Sequence, residues 1–175
     1  METTEEERPK VGELDLRGDV FGDAGYSTDL SLTKGELEVL HSCIRTHFDT
    51  AIEHAAPKDA ADIFGTELKY YHTQSHKLHH ERLWTKKNRI LPMSDVKKIR
   101  NLPFVKILEE SFGKFKITSE EEVYQEEMYW RIVRPHAQGD IGPMHADRWF
   151  WDLGHGHRPG NTCVKVWVPI FCEPG

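Results

Sequence analysis

The spacing of apolar residues changes once along this chain, near Ile117, and that change limits the folds available to it. Before this point apolar residues recur every three or four positions, which is typical of amphipathic helices. After it, residues 123–134 and 163–171 are rich in aromatic and β-branched residues, and the second stretch alternates strictly. Helices followed by strands predict an α+β fold, in which helices buttress one side of an antiparallel sheet.

The clearest predicted helix covers residues 34–55. Thr33 is predicted to cap its N-terminus with Glu36 as the capping-box partner, and Pro57 is predicted to stop it. Further helices are predicted at residues 59–84, 94–100 and 103–111. Gly113 is predicted to end the last of these helices.

A helix over residues 59–84 would align three histidines, His72, His76 and His80, on one face. Two histidines at this spacing can bind zinc, but no cysteine or carboxylate with metal spacing completes such a site. We therefore interpret the row as a polar, pH-sensitive helix face.

The composition is that of a soluble globular protein. The chain has 175 residues, a formal net charge of −6, 38% hydrophobic residues and 30% charged residues. We divide it into an acidic, poorly ordered arm at 1–25, a helical buttress at 26–117, and the first strands of the sheet core at 118–175. No stretch approaches the roughly 18–20 apolar residues of a membrane span, and the acidic N-terminus does not resemble a signal peptide. We predict a cytoplasmic protein.

The charges are unevenly distributed along the chain. Residues 1–23 carry eight acidic and three basic side chains, whereas residues 67–106, the basic zone, carry ten basic and three acidic ones. A basic zone on an acidic protein favours an anionic ligand, although the solvated faces of helices give the same pattern. The overall negative charge and the lack of a recognition motif argue against a nucleic-acid partner.

The candidate site is the tripeptide His145-Ala146-Asp147, an H-x-D motif. On an extended backbone, residues i and i+2 share one face, so the motif places an imidazole and a carboxylate side by side. These groups are two of the three ligands in a 2-His-1-carboxylate iron site. Further along, Lys165 and Trp167 share one face of a predicted strand, and a lysine that points into a cavity needs an anionic partner.

Residues 129–175 resemble the phytanoyl-CoA dioxygenase branch of the Fe(II)/2-oxoglutarate-dependent oxygenases. In that family a strand ends in a basic residue and Pro, a loop leads to H-x-D, and an aromatic-rich loop precedes a strand with a Trp. The matching segments here are YWRIVRPHAQGDIGPMHAD, RWFWDLGHGHRPG and CVKVWVPIFCEPG. The resemblance implies a double-stranded β-helix, or jelly-roll, of which only the first strands lie in this chain.

The resemblance also implies a ligand set and an activity. His145 and Asp147 would be the Fe(II) ligands, and Trp167 would line the pocket for the cosubstrate 2-oxoglutarate. Arg134, the basic residue before a proline, and Lys165 are the candidates to pair with a cosubstrate carboxylate. The retained carboxylate at Asp147 favours hydroxylation over halogenation. The implied reaction consumes O2, oxidises a small, anionic substrate and releases succinate and CO2.

The family's distal histidine and its 2-oxoglutarate-binding arginine have no counterpart in these 175 residues. We therefore expect the chain to be the N-terminal part of a longer protein. The nearby substitutes for the third iron ligand are His136, His155 and His157, all in Gly/Pro-rich loops. Two alternatives stay open: a cupin-like metal enzyme that does not use 2-oxoglutarate, and a degenerate, non-catalytic jelly-roll binding module.

Overall fold

A computed structural model describes residues 14–65, 68–117, 126–143, 149, 152–153 and 162–171. Six α-helices lie in these residues: α1 (Leu16–Phe21), α2 (Lys34–Ala55), α3 (Ala60–Phe64), α4 (His80–Leu83), α5 (Met93–Arg100) and α6 (Pro103–Phe112). Short 3-10 helices lie at Leu68–Thr73, Ser75–Lys77, Lys87–Arg89 and Gln138–Asp140.

The long helix α2 forms the centre of the described fold. It buries one apolar side chain per turn through most of its length, namely Leu40, Ile44, Phe48 and Ile52. At its start the Glu36 N–H donates to Thr33 Oγ1 at 3.3 Å, and the Thr33 N–H donates to the Glu36 carboxylate at 2.8 Å. The predicted helix, its capping box and its end just before Pro57 are therefore confirmed.

Two shorter helices are joined to this centre by specific contacts. At the start of α6 the buried Phe104 N–H donates to Glu36 Oε1 at 2.7 Å, which links the first turns of α6 and α2. Helix α1 buries Leu16, and its Phe21 ring meets the Phe112 ring of α6 edge-on at 6.0 Å. Part of the segment predicted to be a poorly ordered arm is thus a packed helix.

The other helix predictions divide into two groups. Those at 94–100 and 103–111 correspond to α5 and α6, and Gly113 ends α6 with a φ of +82°, a conformation that favours glycine. The helix predicted over 59–84 is not continuous, because α3 ends at Phe64 and two 3-10 helices, Leu68–Thr73 and Ser75–Lys77, precede the start of α4 at His80. The histidine row on one helix face is therefore not formed.

The prediction of an α+β jelly-roll is wrong, because the part of the chain that the structure describes is helical and contains no β-strand. Residues 126–134 are extended, but they form a single antiparallel bridge between Tyr129 and Ile90. Two hydrogen bonds flank this bridge, from Leu91 N to Met128 O at 2.7 Å and from Trp130 N to Arg89 O at 3.2 Å.

The extended segment at 162–169 also lies against a helix. Near its end the His41 ring of α2 stacks on Phe171 at 4.4 Å, and His41 Nε2 lies 3.1 Å from the carbonyl oxygen of Ile170. Strand preference reflects the fit of aromatic and β-branched side chains to a half-buried surface rather than an intrinsic backbone choice. In this protein helices supply that surface, which explains why strand-like sequence does not produce a sheet in the described residues.

Candidate functional site

The two predicted iron ligands, His145 and Asp147, lie outside the residues that the structure describes. The turn that precedes them is described through Pro143, and so is Trp149 just after them. The described neighbours of the motif are the turn that leads into it and the side chains that hold this turn.

Arg134, predicted to pair with a cosubstrate carboxylate, is bound to Asp140. Its Nε and Nη2 atoms donate to the two carboxylate oxygens at 2.8 and 2.7 Å, and its backbone N–H donates to Oδ2 at 2.9 Å. The Asp140 side chain is only 2% exposed. The hydrogen bonds from Arg134 lower the pKa of Asp140 to about 2, so the carboxylate is ionised at neutral pH. The guanidinium fork is thus engaged by a carboxylate of the same chain.

A chain of buried polar groups reaches Asp140 from its other side. His80 Nε2 lies 3.6 Å from Asp140 Oδ1, His80 Nδ1 lies 3.1 Å from the Tyr71 hydroxyl, and Trp84 Nε1 donates to that hydroxyl at 3.0 Å. An indole N–H can only donate, so the hydroxyl of Tyr71 accepts from Trp84. A hydroxyl oxygen can accept two hydrogen bonds, so the tautomer of His80 decides whether Tyr71 donates to Nδ1 or accepts from it. We call Trp84, Tyr71, His80, Asp140 and Arg134 the polar chain.

The polar chain starts in a cluster of buried aromatic rings. Phe48 of α2 stacks on Trp84 at 5.3 Å, and Trp84 meets Trp130 at 5.0 Å. Trp130 Nε1 donates to His47 Nδ1 at 3.1 Å, and Arg89 Nη1 donates to the carbonyl oxygen of Trp130 at 2.7 Å. The Trp130 end of the segment that leads into the turn is therefore fixed to α2 and to the 3-10 helix at Lys87–Arg89.

The electrostatics of the polar chain make folding stability depend on pH. Burial lowers the pKa of His80, and the charge of Arg134 lowers it further, while Asp140 opposes both. Burial also lowers the pKa of His47. Below the ordinary histidine pKa of 6.5 the unfolded chain takes up protons that the folded protein does not bind, so stability falls as the pH falls.

We expect the free energy of unfolding to decrease between pH 7 and pH 5, by up to about 1.4 kcal/mol per pH unit for each of the two histidines. In a His80→Asn variant, whose amide oxygen can accept the Tyr71 proton, the decrease should be smaller. Urea unfolding at pH 7.5, 6.5 and 5.5 measures the slope, and His54→Asn, at an exposed position of α2, is the control. A His80→Asn slope equal to that of the unmodified protein would contradict this assignment.

The other two predicted cosubstrate contacts lie on the surface. Trp167 is 64% exposed, and Lys165 Nζ lies 5.4 Å from the centre of its ring, a cation–π arrangement. In the same segment Val168 and Ile170 pack against the core, whereas Val166 is half-exposed. The expectation that Lys165 and Trp167 face a cavity is thus not met, and the ring of Trp167 is a neighbour of the ammonium group.

The basic zone is not a continuous cationic surface. Lys77 pairs with Asp62 at 2.6 Å and Lys98 with Asp95 at 2.7 Å. Two more cations are held internally, Arg100 by Glu126 and Arg89 by the carbonyl oxygens of Trp84 and Trp130. The exposed basic residues of the zone are Lys69, Arg82, Lys87, Lys97, Lys98 and Lys106.

Sequence analysis identified the H-x-D motif but missed the polar chain. It placed His80 on a polar helix face and assigned no role to Tyr71 or Asp140. The one local signal was a pair of opposite charges, Arg134 and Asp140, at the two ends of a turn with Pro and Gly. The contacts with Tyr71 and His80 come from a distant part of the chain, and no local pattern indicates them.

In the described residues no group of three His, Cys, Asp or Glu side chains is placed to hold a metal ion. No helix among those residues has the length and apolar character needed to cross a bilayer, in agreement with the prediction of no membrane span. Searches against protein families, curated proteins and solved structures found no match to this chain.

Proposed function

We propose that this chain belongs to a non-haem Fe(II)/2-oxoglutarate-dependent dioxygenase that hydroxylates a small molecule. The observation that supports the proposal is the H-x-D motif at His145 and Asp147, which comes five residues after a turn pinned by a buried ion pair. An imidazole and a carboxylate are the donor types of the 2-His-1-carboxylate iron site, so the chemistry of these residues fits Fe(II). The six helices described above precede the motif in the chain.

Bound Fe(II) and 2-oxoglutarate would supply the oxidation of a substrate C–H bond by O2, with release of succinate and CO2. In this proposal His145 and Asp147 bind the metal through a ring nitrogen and a carboxylate oxygen. The pair of Arg134 and Asp140 holds the turn that enters the motif. Lys165, exposed beside Trp167, is the other residue that the resemblance suggests for a carboxylate of the cosubstrate.

An Asp147→Ala variant of the intact protein is expected to lose at least about 100-fold in succinate formation. Changes to groups that only orient a metal ligand already cost 10–100-fold, and this substitution removes a ligand itself. The measurement is succinate produced from 2-oxoglutarate with Fe(II) and O2. Asp29→Ala, at an exposed position, is the matched control and should retain full turnover. Near-normal turnover by Asp147→Ala would rule out the assignment.

The same assay separates the alternatives. O2 consumption without succinate formation would favour a metal enzyme that does not use 2-oxoglutarate. Failure of the intact protein to bind Fe(II) would favour a non-catalytic binding module. An anionic substrate is supported by the exposed cations of the basic zone, and a KM that does not change with ionic strength would remove that support.

A further inference from the structure

We propose that Arg89 and Arg131, together with Lys86 and the ring of Tyr129, form a binding site for the phosphate group of a small phosphorylated molecule. We call these four residues the cationic site. The proposal goes beyond the proposed function and does not depend on it, because all four residues are described by the structure and the site requires no metal.

The first argument is the way in which the extended segment at 126–134 divides its side chains. Met128, Trp130 and Ile132 pack against the core. Successive side chains of an extended backbone point to opposite faces, so Tyr129 and Arg131 share the other face. Arg131 is exposed and Tyr129 is partly exposed. The segment therefore presents a phenol ring and a guanidinium group on the face that the core does not cover.

The second argument is that two more cations reach this face from another part of the chain. Arg89 Nη1 donates to the carbonyl oxygen of Trp130 at 2.7 Å. This carbonyl belongs to the peptide group that links Trp130 to Arg131, so the Arg89 guanidinium lies beside the backbone of Arg131. Lys86 Nζ lies 5.0 Å from the centre of the Tyr129 ring. Three cations from two segments are thus gathered near one phenol ring.

The third argument is the kind of partner that the two arginines have. Arg89 donates to the carbonyl oxygens of Trp84 and Trp130, and Arg131 donates to the carbonyl oxygen of Asp140. In the part of the chain that the structure describes, no carboxylate lies within ion-pair distance of either guanidinium. A guanidinium has five N–H donors, so these bonds leave donors of both side chains for an anion.

The fourth argument is the positive charge that remains at the site. Burial lowers the pKa of Arg89, and the positive charge of Arg131 lowers it further, so the two cations repel each other. The carboxylate of Asp140 does not offset this charge, because Arg134 binds its two oxygens at 2.7 and 2.8 Å. An anion held between Arg89 and Arg131 would turn this repulsion into two attractions.

The number of cations favours a phosphate group over a carboxylate. A phosphate monoester carries a charge of about −1.5 to −2 at pH 7 and has three strong acceptor oxygens. A carboxylate carries a single charge on two oxygens. The planar guanidinium fork also matches the geometry of phosphate oxygens, and the partly exposed ring of Tyr129 offers a surface to the organic part of the ligand.

The test is isothermal titration calorimetry of the intact protein, without added metal, with phenyl phosphate and with benzoate. Both probes contain a phenyl ring, and they differ in the anionic group. We expect phenyl phosphate to bind at least about tenfold more tightly, because it brings more charge and one more acceptor oxygen. In amide NMR spectra, the resonances of residues 86–90 and 128–131 should shift on addition of phenyl phosphate. Equal affinities, or shifts confined to other residues, would overturn the proposal.

Arg131→Gln tests the site at an exposed position. The variant removes one cation but keeps a side-chain donor for the carbonyl oxygen of Asp140. We expect the Kd for phenyl phosphate to rise at least about tenfold, because hydrogen bonds to charged groups are among the strongest. The matched control is Lys34→Gln, which also removes one exposed cation, at the start of α2. Lys34 lies roughly 20 Å along α2 from His47, the residue that contacts Trp130, and the control should leave the Kd unchanged.

A second variant covers the case in which Arg131→Gln does not fold. Lys86→Gln leaves both guanidinium groups in place and removes the ammonium group beside Tyr129. It is expected to raise the Kd for phenyl phosphate severalfold. If Arg131→Gln does not fold, an unchanged Kd in Lys86→Gln overturns the proposal by itself. If both variants fold and bind phenyl phosphate as tightly as the unmodified protein, the cationic site is not where the phosphate binds.

Discussion

Replacing Phe48 with alanine is expected to lower the free energy of unfolding by about 4 kcal/mol. The side chain is 1% exposed, and its ring stacks on Trp84 and meets Tyr71 and Trp130 at their edges. Truncation to alanine removes these contacts and leaves a cavity, and buried Phe→Ala changes typically cost 3–5 kcal/mol. Equilibrium unfolding in urea, followed by far-UV circular dichroism, gives the value.

The matched control for this change is Phe21→Ala, at a ring that is 48% exposed. Its loss should be smaller by at least about 2 kcal/mol, because about half of its surface already contacts water. Equal losses for the two variants would mean that Phe48 does not have the central packing described here.

Replacing Glu36 with alanine should cost about 3 kcal/mol of unfolding free energy. This buried carboxylate accepts from the Thr33 N–H and hydroxyl through one oxygen and from the Phe104 N–H through the other. Its removal breaks the capping box of α2 and leaves the buried Phe104 N–H at the start of α6 without this acceptor. A lost helix cap costs about 1 kcal/mol, and an unsatisfied buried donor costs about 1–3 kcal/mol.

Two further variants give reference values for this loss of unfolding free energy. Glu38→Ala removes an exposed carboxylate that lies 4.0 Å from Lys34 and should change stability by less than about 0.5 kcal/mol. Glu36→Gln keeps an oxygen acceptor and should fall between the two alanine variants. A Glu36→Ala loss no larger than that of Glu38→Ala would contradict the joining of α2 and α6 through this side chain.

The elements that were predicted correctly depend on local interactions. The start of α2 at Thr33, its end before Pro57 and the stop of α6 at Gly113 are set by residues within a few positions of each boundary. The periodicity of α2 predicted an apolar face of five residues, of which four are buried and Leu37 is partly exposed. The buried Glu36 and Cys43 were not among them. For these segments, neighbouring residues and tertiary packing favour the same structure.

The elements that were predicted wrongly depend on distant contacts. The segment around Trp130 has the composition of a strand, but the Trp130 ring donates to His47, its carbonyl oxygen accepts from Arg89, and the segment forms one bridge. Nothing within the segment indicates that helices cover it instead of other strands. The H-x-D motif is a local pattern and stays a prediction, whereas the contacts from Tyr71 to Asp140 appear only when distant parts of the chain are brought together.

The central place of α2 affects how the protein forms during synthesis. Its side chains contact residues far along the chain, including Trp130 through His47 and Ile170 through His41, the latter 129 positions away. At roughly 5–20 residues per second, a ribosome needs roughly 6–26 s to make the residues between His41 and Ile170. During this interval Tyr71 and Trp84 become available to pack on Phe48, whereas the positions of α2 that contact Trp130 and Ile170 still lack these partners. The last part of the fold therefore forms only after most of the chain has been made.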